Sequence, residues 1–489
     1  MDAVEVTRGP DLVLIRSSLG RVPVEVTPRA WASFVAAVKA CEYEAEPVAD
    51  SRLAGIHRGH PNRGGPHASG EDTAMSVGTT SSESESLRHA MVDRLAADHA
   101  AKGLALRPEV EAAMRTVPRE LYTPGLPPEQ AYENEAVLKK RRGTEVISSV
   151  SAPFLIAEML GQAADALGGL AGCHALEIGS GGYNASLLRE LVGPSGSVTT
   201  VDIDPEVTGR AVACLAAAGY TDLTVVCADA EHPITSGHRY DLIIVTVGAW
   251  DIPPAWCEQL RDGGVLVVPL RTFGITKSWA LRRRGDRLVS ESDRQCGFVF
   301  MQGDGAHKVR YVDIADGVRL RMDEGQQVDP AVLEGLLAQP REEAWAGVSL
   351  PPRTDLIDLN LWLATRLTHE AGQFVVLLAE ETAIEAGTVA PSWQHGTPAT
   401  LRDGTLAYRS ALRWTGRRFD LGAYAHGSKA AAAAGRMVEH MRAWVDAGSP
   451  APVLHVLPAH TPDGDLPAGA VLNKRHNRLV LTFTPTASV

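Results

Sequence analysis

Apolar and polar positions alternate in blocks along the middle of the chain. An apolar run, Ala175 to Ile178, carries Glu177 and breaks into Gly179, Gly181 and Gly182; a helical pattern follows from Ala185 to Val192. Ser197 to Val201 is a second apolar segment, tipped by Asp202 with Asp204 beside it. Val225 to Ala228 is a third, tipped by Asp229, and Tyr240 to Val247 is a fourth. Leu260 to Gly264 reads as a turn into a fifth, through Val268 and Pro269. Short apolar runs separated by helical stretches predict βα units on a parallel sheet. The expected fold class is therefore α/β, with a Rossmann-like core.

The flanks read differently. Residues 1–46 form a small N-terminal unit, with strands at Leu12–Ile15 and Val22–Val26. Pro28 then opens a helix bearing Trp31, Phe34, Val35 and Val38 at helical spacing. Residues 47–86 are rich in Pro, Gly, His, Ser and Glu. Such a segment buries too little surface to offset its ordering entropy, so a disordered linker is expected. The core spans 87–305, entered through helical patterns at Leu87, Met91 and Leu95 and at Val110, Ala113, Met114 and Val117. Residues 306–489 read as a separate C-terminal α/β domain. It has strands at Phe374–Leu378, Val453–Leu457 and Leu479–Phe483 and a helix over Ser428–Val445. At 489 residues, two or three domains are expected.

The glycine loop and the acids carry the first chemical signal. Glycines admit a ligand close to backbone because no Cβ intrudes. Asp202 lies 25 residues after Glu177, the spacing of an acid that meets ribose hydroxyls. The third glycine of a dinucleotide loop is missing. The leading Glu177 suits a cationic sulfonium and amino group, which points to S-adenosylmethionine (SAM). Glu177 is expected at the methionine end, or orienting the loop there; its alternative is a solvated strand-end acid. Asp202 is expected on both ribose hydroxyls, or else is a turn residue before Pro205. Asp229 is expected near the adenine amino group, or is an ordinary loop acid. Gly179, Ser180, Gly181, Ile203 and Ala230 complete the cofactor set.

Bulk properties narrow the classes. The chain is 45% hydrophobic and 22% charged, with a net charge of −12. An acidic balance does not favour a general nucleic-acid binder. The six cysteines, Cys41, Cys173, Cys214, Cys227, Cys257 and Cys296, have no Cys-x-x-Cys spacing, so neither a disulfide framework nor a zinc site is indicated. His57, His60 and His67 have no defined ligand geometry, and no metal is expected. No signal peptide and no membrane-spanning run are read, so a cytoplasmic protein without a membrane partner is expected. Oligomeric state is open.

Further motifs occur in order: Val117-Pro118-Arg119-Glu120, Ala131-Tyr132-Glu133-Asn134, Val150-Ser151-Ala152-Pro153, the glycine loop, Tyr240-Asp241, and Ile252-Pro253-Pro254 leading to Gln259-Leu260 and Gly263-Gly264. With these, residues 87–272 resemble the protein-L-isoaspartate O-methyltransferases. The resemblance implies that Ser149, Val150, Ser151 and Ala152 form the substrate element. It also implies that Ser151 lies beside the accepting carboxylate as the catalytic residue; alternatively Ser151 is a helix N-cap. Departures accompany the match. The glycine loop reads Gly-Ser-Gly-Gly-Tyr-Asn, Lys139 to Arg142 precedes the serine element, and Cys296-Gly297-Phe298-Val299 leads into the long C-terminal region. These features resemble the divergent FxLD methyltransferases associated with lanthipeptide biosynthesis. The N-terminal unit is similar to part of a short actinobacterial domain of unknown function, through Arg16-Ser17-Ser18 and Pro28-Arg29-Ala30-Trp31.

Methyl transfer to a carboxylate needs no general base, because that group is already ionised at pH 7. Holding the reactants in line and excluding water is the protein's task. The expected function is O-methylation of an aspartate in a ribosomally made, modified precursor peptide, leading through succinimide to isoaspartate. Lys139 to Arg142 is either a solvated charge run or a steering patch for an acidic peptide. Three rivals are general isoaspartate repair, RNA or small-molecule methylation, and a non-catalytic SAM-binding module.

Overall fold

The computed structural model describes residues 4–8, 13–17, 24–26 and 73–484, apart from 102, 144, 180, 235–236, 352–353, 355, 371–372 and 394–395. Five strands run parallel, in the spatial order Leu260–Thr272, Tyr240–Val245, His174–Ile178, Ser197–Asp202 and Thr224–Cys227. Alternate residues of one strand enter different cores. Ala175, Leu242 and Ile244 pack on one face, and Leu176, Ile243 and Val245 on the other. A parallel sheet covered on both faces requires such uninterrupted apolar runs. The strand–helix alternation read from the sequence is therefore present, and the core is Rossmann-like α/β.

The helix Pro153–Leu167 begins with Pro at its first position and ends at Gly168, whose φ of 72° is the left-handed stop. It is apolar almost all round, so it is buried rather than amphipathic. Its polar Gln162 accepts from Ser278 Oγ at 2.8 Å and donates to the Ser278 carbonyl at 3.2 Å. That pair docks the helix on the strand Ile275–Arg284 and satisfies a buried amide.

Two expectations about the flanks are corrected. The 47–86 segment is not a linker to its end, because the helix Thr73–Ala101 starts within it. Its Ser/Glu stretch forms a mostly solvated helical face, and Ser86 Oγ donates to the Ser82 carbonyl at 2.9 Å. Residues 47–72, and the helix read from Pro28, lie outside the described residues. The N-terminal strands are Val4–Arg8, Val13–Ser17 and Val24–Val26, an antiparallel trio whose first member the sequence reading lacked.

Residues 306–489 differ from the expectation in how they join the core. This region mixes helices and strands, with an antiparallel sheet built on Gln373–Ala379, Thr397–Arg402 and Phe419–His426 and covered by the helices Ile357–Glu370 and Ala430–Asp446. It is not separate from the core. The methyltransferase sheet continues antiparallel through Ile275–Arg284 and Arg287–Gln295 into Ala451–Pro458, Asn477–Thr484 and Ala470–Asn473. Leu454, Val456, Leu479 and Leu481 share one hydrophobic core with Leu266, Trp279 and Leu288. The chain thus leaves the core at about 300, builds the second sheet, and returns to finish the first. Apolar runs at 453–457 and 479–483 identify strands but not the sheet they join.

Candidate active site

The C-terminal ends of the parallel strands converge as expected for an open α/β sheet. Glu177, in the first strand, is 1% exposed. It accepts hydrogen bonds from Asn184 Nδ2 at 2.9 Å and from Thr200 Oγ1. Burial raises its carboxyl to about 7, against the lowering effect of those two bonds. The solvated-acid alternative is therefore excluded. A buried carboxyl whose pKa is raised suits a cationic ligand group, which would favour its ionised form.

Gly179 follows with φ of 100°, and a Cβ there would lie 2.6 Å from Thr246 Oγ1. Thr246 donates to the Gly179 carbonyl at 2.6 Å, locking the turn. Only glycine meets both demands. Ser149, Val150, Ser151, Glu177, Gly179 and Gly181 all face one small chamber, together with Tyr183, Asn184, Thr246 and Phe298. Ser180 lies outside the described residues.

The second and third strand ends carry the other acids. Asp202 Oδ1 accepts from the Asp204 amide at 2.8 Å, and Asp204 caps the next helix through the Glu206 amide at 2.9 Å. Ile203 projects beside them, 39% exposed, onto the larger cleft. Asp229 accepts from the Glu231 amide at 2.9 Å and from the Asp304 amide at 2.9 Å. Gly303 presses so close that a Cβ would sit 2.1 Å from Asp229 Oδ2. Ala230 is buried, and its carbonyl accepts from Trp256 Nε1 at 2.7 Å. Three carboxyl groups on adjacent strand ends, a glycine turn and a chamber at the first of them make a donor set that suits a cofactor with cationic and hydroxyl groups such as SAM, while Asp202 and Asp229 line neither the chamber nor the cleft.

Ser151 stands where two spaces meet. It lines the small chamber and also a cleft of about 1510 Å³. The N-cap alternative is corrected, since Ala152 occupies that position and the Phe154 amide is instead capped by Asn134 Oδ1 at 2.9 Å. The Ser151 hydroxyl has no hydrogen bond among the described residues. Ala152 also lines the cleft. The far wall comes from outside the parallel sheet: Phe298 and Phe300, then His307, Tyr311 and Trp393. The 298–301 segment is fixed over the site by Gly248, whose amide donates to Val299 O at 2.7 Å and whose carbonyl accepts from Met301 N at 3.0 Å.

The basic run is only partly available to a ligand. Lys140 pairs with Asp204 at 2.7 Å and Glu206 at 2.6 Å, and Arg142 donates to Gln302 at 3.0 Å. These bonds tie the hairpin of Val137–Arg142 and Glu145–Val150 to the strand-end loops. Asn184, Thr200, Thr246 and Phe298 were missed in the sequence. Asn184 stood in the departed glycine loop and Phe298 in the Cys296–Val299 run, so both had a signal; Thr200 and Thr246 had none. Among the described residues no cluster of His, Cys, Asp or Glu could hold a metal ion, and no helix is long and apolar enough to cross a membrane.

Fold and site together define a SAM-dependent methyltransferase. Residues 69–305 match the family model described as protein-L-isoaspartate(D-aspartate) O-methyltransferase. A protein-L-isoaspartate O-methyltransferase of Ignicoccus hospitalis is 39% identical over 171 residues, 35% of this chain and 77% of that protein. A second, from Archaeoglobus fulgidus, is 33% identical over 213 residues, 42% of this chain and 92% of that protein. A solved protein-L-isoaspartate O-methyltransferase superposes with a TM-score of 0.40 at 20% identity, covering 74% of this chain and 96% of its own. The chain belongs to the protein-L-isoaspartate O-methyltransferase family and is a SAM-dependent carboxyl O-methyltransferase.

Proposed function

We propose that the chain methylates an aspartyl or isoaspartyl carboxylate in a peptide, and that its particular substrate is a ribosomally made, modified precursor. The observation that carries this reading is the position of Ser151, with a hydroxyl that makes no hydrogen bond among the described residues, between the Glu177 chamber and the cleft of about 1510 Å³. SAM supplies an activated methyl group when bound. Glu177 would hold its cationic methionyl end, Asp202 its ribose hydroxyls, and Asp229 the adenine edge. Ser151 would donate a hydrogen bond to one acceptor oxygen and leave the other aimed into the chamber. Phe298, lining both spaces, excludes water from the junction. No proton need be removed, because the carboxylate is ionised at pH 7. The methyl ester so formed is open to attack by the next backbone nitrogen, which expels methanol and closes a succinimide.

The precursor reading draws on the far wall. Tyr311 and Trp393 belong to the second sheet region, beyond the residues that match the family model. Contact over several residues is what selecting one aspartate among many requires. General repair of isoaspartyl proteins is the competing reading, favoured by the identity to the archaeal relatives. The test is competition between an unstructured isoaspartyl peptide and a candidate precursor, for wild type and for Trp393→Ala. Preference for the precursor that disappears in the variant supports the first reading. Equal use of random isoaspartyl peptides by both proteins supports repair.

A further inference from the structure

Behind the substrate cleft lies a side chamber of about 250 Å³, between the methyltransferase sheet and the second sheet. It shares Gln295, Cys296, Gly297, Phe298, Phe300 and Trp393 with the cleft, so the two spaces adjoin. Three cationic side chains line it: Arg271, Lys277 and Arg321.

Two of these cations are neutralised. Lys277 pairs with Asp293 and with Asp358, the latter at 2.5 Å, and Arg271 Nε pairs with Asp323 at 2.5 Å. Arg321 has no carboxylate within ion-pair distance among the described residues; its one hydrogen bond is a 3.5 Å contact from Nη2 to the Gly274 carbonyl. Its Nε is buried without a partner, and so is Nη2 of Arg271, a residue only 4% exposed. Burial, and then the neighbouring Arg271, lower the Arg321 guanidinium to about 10, which leaves it protonated at pH 7.

Arg321 is part-buried, and buried N–H groups left without an acceptor are costly unless an anion meets them. Guanidinium donors match the two oxygens of a carboxylate. We propose that this chamber is an anion subsite that receives a second carboxylate of the peptide substrate, from an acidic residue near the methylated one. The proposal deepens the reading of the cleft as a peptide site and rests on it. The small chamber at Glu177 selects the cofactor, Ser151 the reacting carboxylate, and Arg321 with Arg271 a neighbouring acid.

The test uses the full chain and a set of isoaspartyl hexapeptides with Glu or Gln at each flanking position. Binding is measured by calorimetry with S-adenosylhomocysteine at saturation, and turnover is measured in parallel. At one position Glu should bind about tenfold or more tighter than Gln, a ratio set by charge-assisted hydrogen bonds. Raising ionic strength should shrink the ratio. Arg321→Gln should abolish it, and Arg321→Lys should keep part of it. If Arg321→Gln does not fold, the wild-type Glu/Gln ratio and its salt response decide. Equal binding of Glu and Gln peptides at every position, or a preference that survives Arg321→Gln, overturns the subsite. Absence of methyl transfer to any peptide would instead strike the functional reading, because the binding ratio is read independently of turnover.

Discussion

Replacing Glu177 with Gln should make the ligand-free chain more stable at neutral and alkaline pH while weakening its hold on SAM. Glu177 is fully buried, and its carboxyl titrates at about 7 rather than 4.5. The folded chain therefore holds a proton there that the unfolded chain has released. The folded-state pKa is raised, so the stabilisation is complete below about pH 4.5 and is lost as pH rises through about 7. A shift of about 2.5 units corresponds to about 3 kcal/mol at 1.36 kcal/mol per unit. Gln remains neutral and retains partners in Asn184 and Thr200. The difference in unfolding free energy between variant and wild type should grow by about 3 kcal/mol from pH 4.5 to 8. Urea denaturation at several pH values measures it, since other groups titrate alike in both proteins. SAM binding to wild type near pH 7 should release about half a proton, seen as a buffer-dependent calorimetric enthalpy, and Glu177→Gln should abolish that release. A pH-independent stability difference with no proton release would refute the reasoning.

Other outcomes follow from the same geometry. Asp202→Ala should weaken SAM binding by about 2–3 kcal/mol through lost charge-assisted bonds, and unchanged calorimetric affinity in a folded variant would remove the ribose assignment. Ser151→Ala should leave SAM affinity intact and slow turnover about ten- to a hundredfold, as expected for one hydrogen bond to the reacting group; loss of SAM affinity instead would make the residue architectural. Truncation after residue 305 should not yield a SAM-binding core. It removes Leu454, Val456, Leu479 and Leu481 from the shared hydrophobic core, at about 1.5–3 kcal/mol each, which is comparable with the whole stability of a domain. A soluble, cooperatively unfolding truncate that binds SAM would contradict that packing.

The core was legible in the sequence because local pattern and topology agree there. Apolar runs at 175–178, 197–201 and 240–245 are strands buried on both faces, and Gly179 and Asp202 close the first two. Glu177 and Gly179 were readable for the same reason: each sits at a fixed offset from a strand end. The return of 451–484 to the first sheet was not readable, since strand pairing over more than 150 residues leaves no local signature. The partners of Glu177 were equally silent, because Thr200 lies within an apolar strand where a threonine reads as a strand former. The Ser/Glu-rich start of the helix Thr73–Ala101 misled composition, which registers low hydrophobicity but not a solvated helical face.

The most direct measurement of carboxyl methylation is the fate of labelled methyl groups. The full chain would be incubated with methyl-labelled SAM and an acidic peptide, either an isoaspartyl peptide or a candidate precursor. Methyl transfer to a carboxylate makes a base-labile ester, so mild alkali should release the label as volatile methanol, and mass spectrometry should show the peptide gaining one methyl group and then losing methanol to a succinimide. A base-stable methyl group on the peptide would contradict methylation of a carboxylate, and label transferred only to RNA or a small molecule would contradict a peptide substrate.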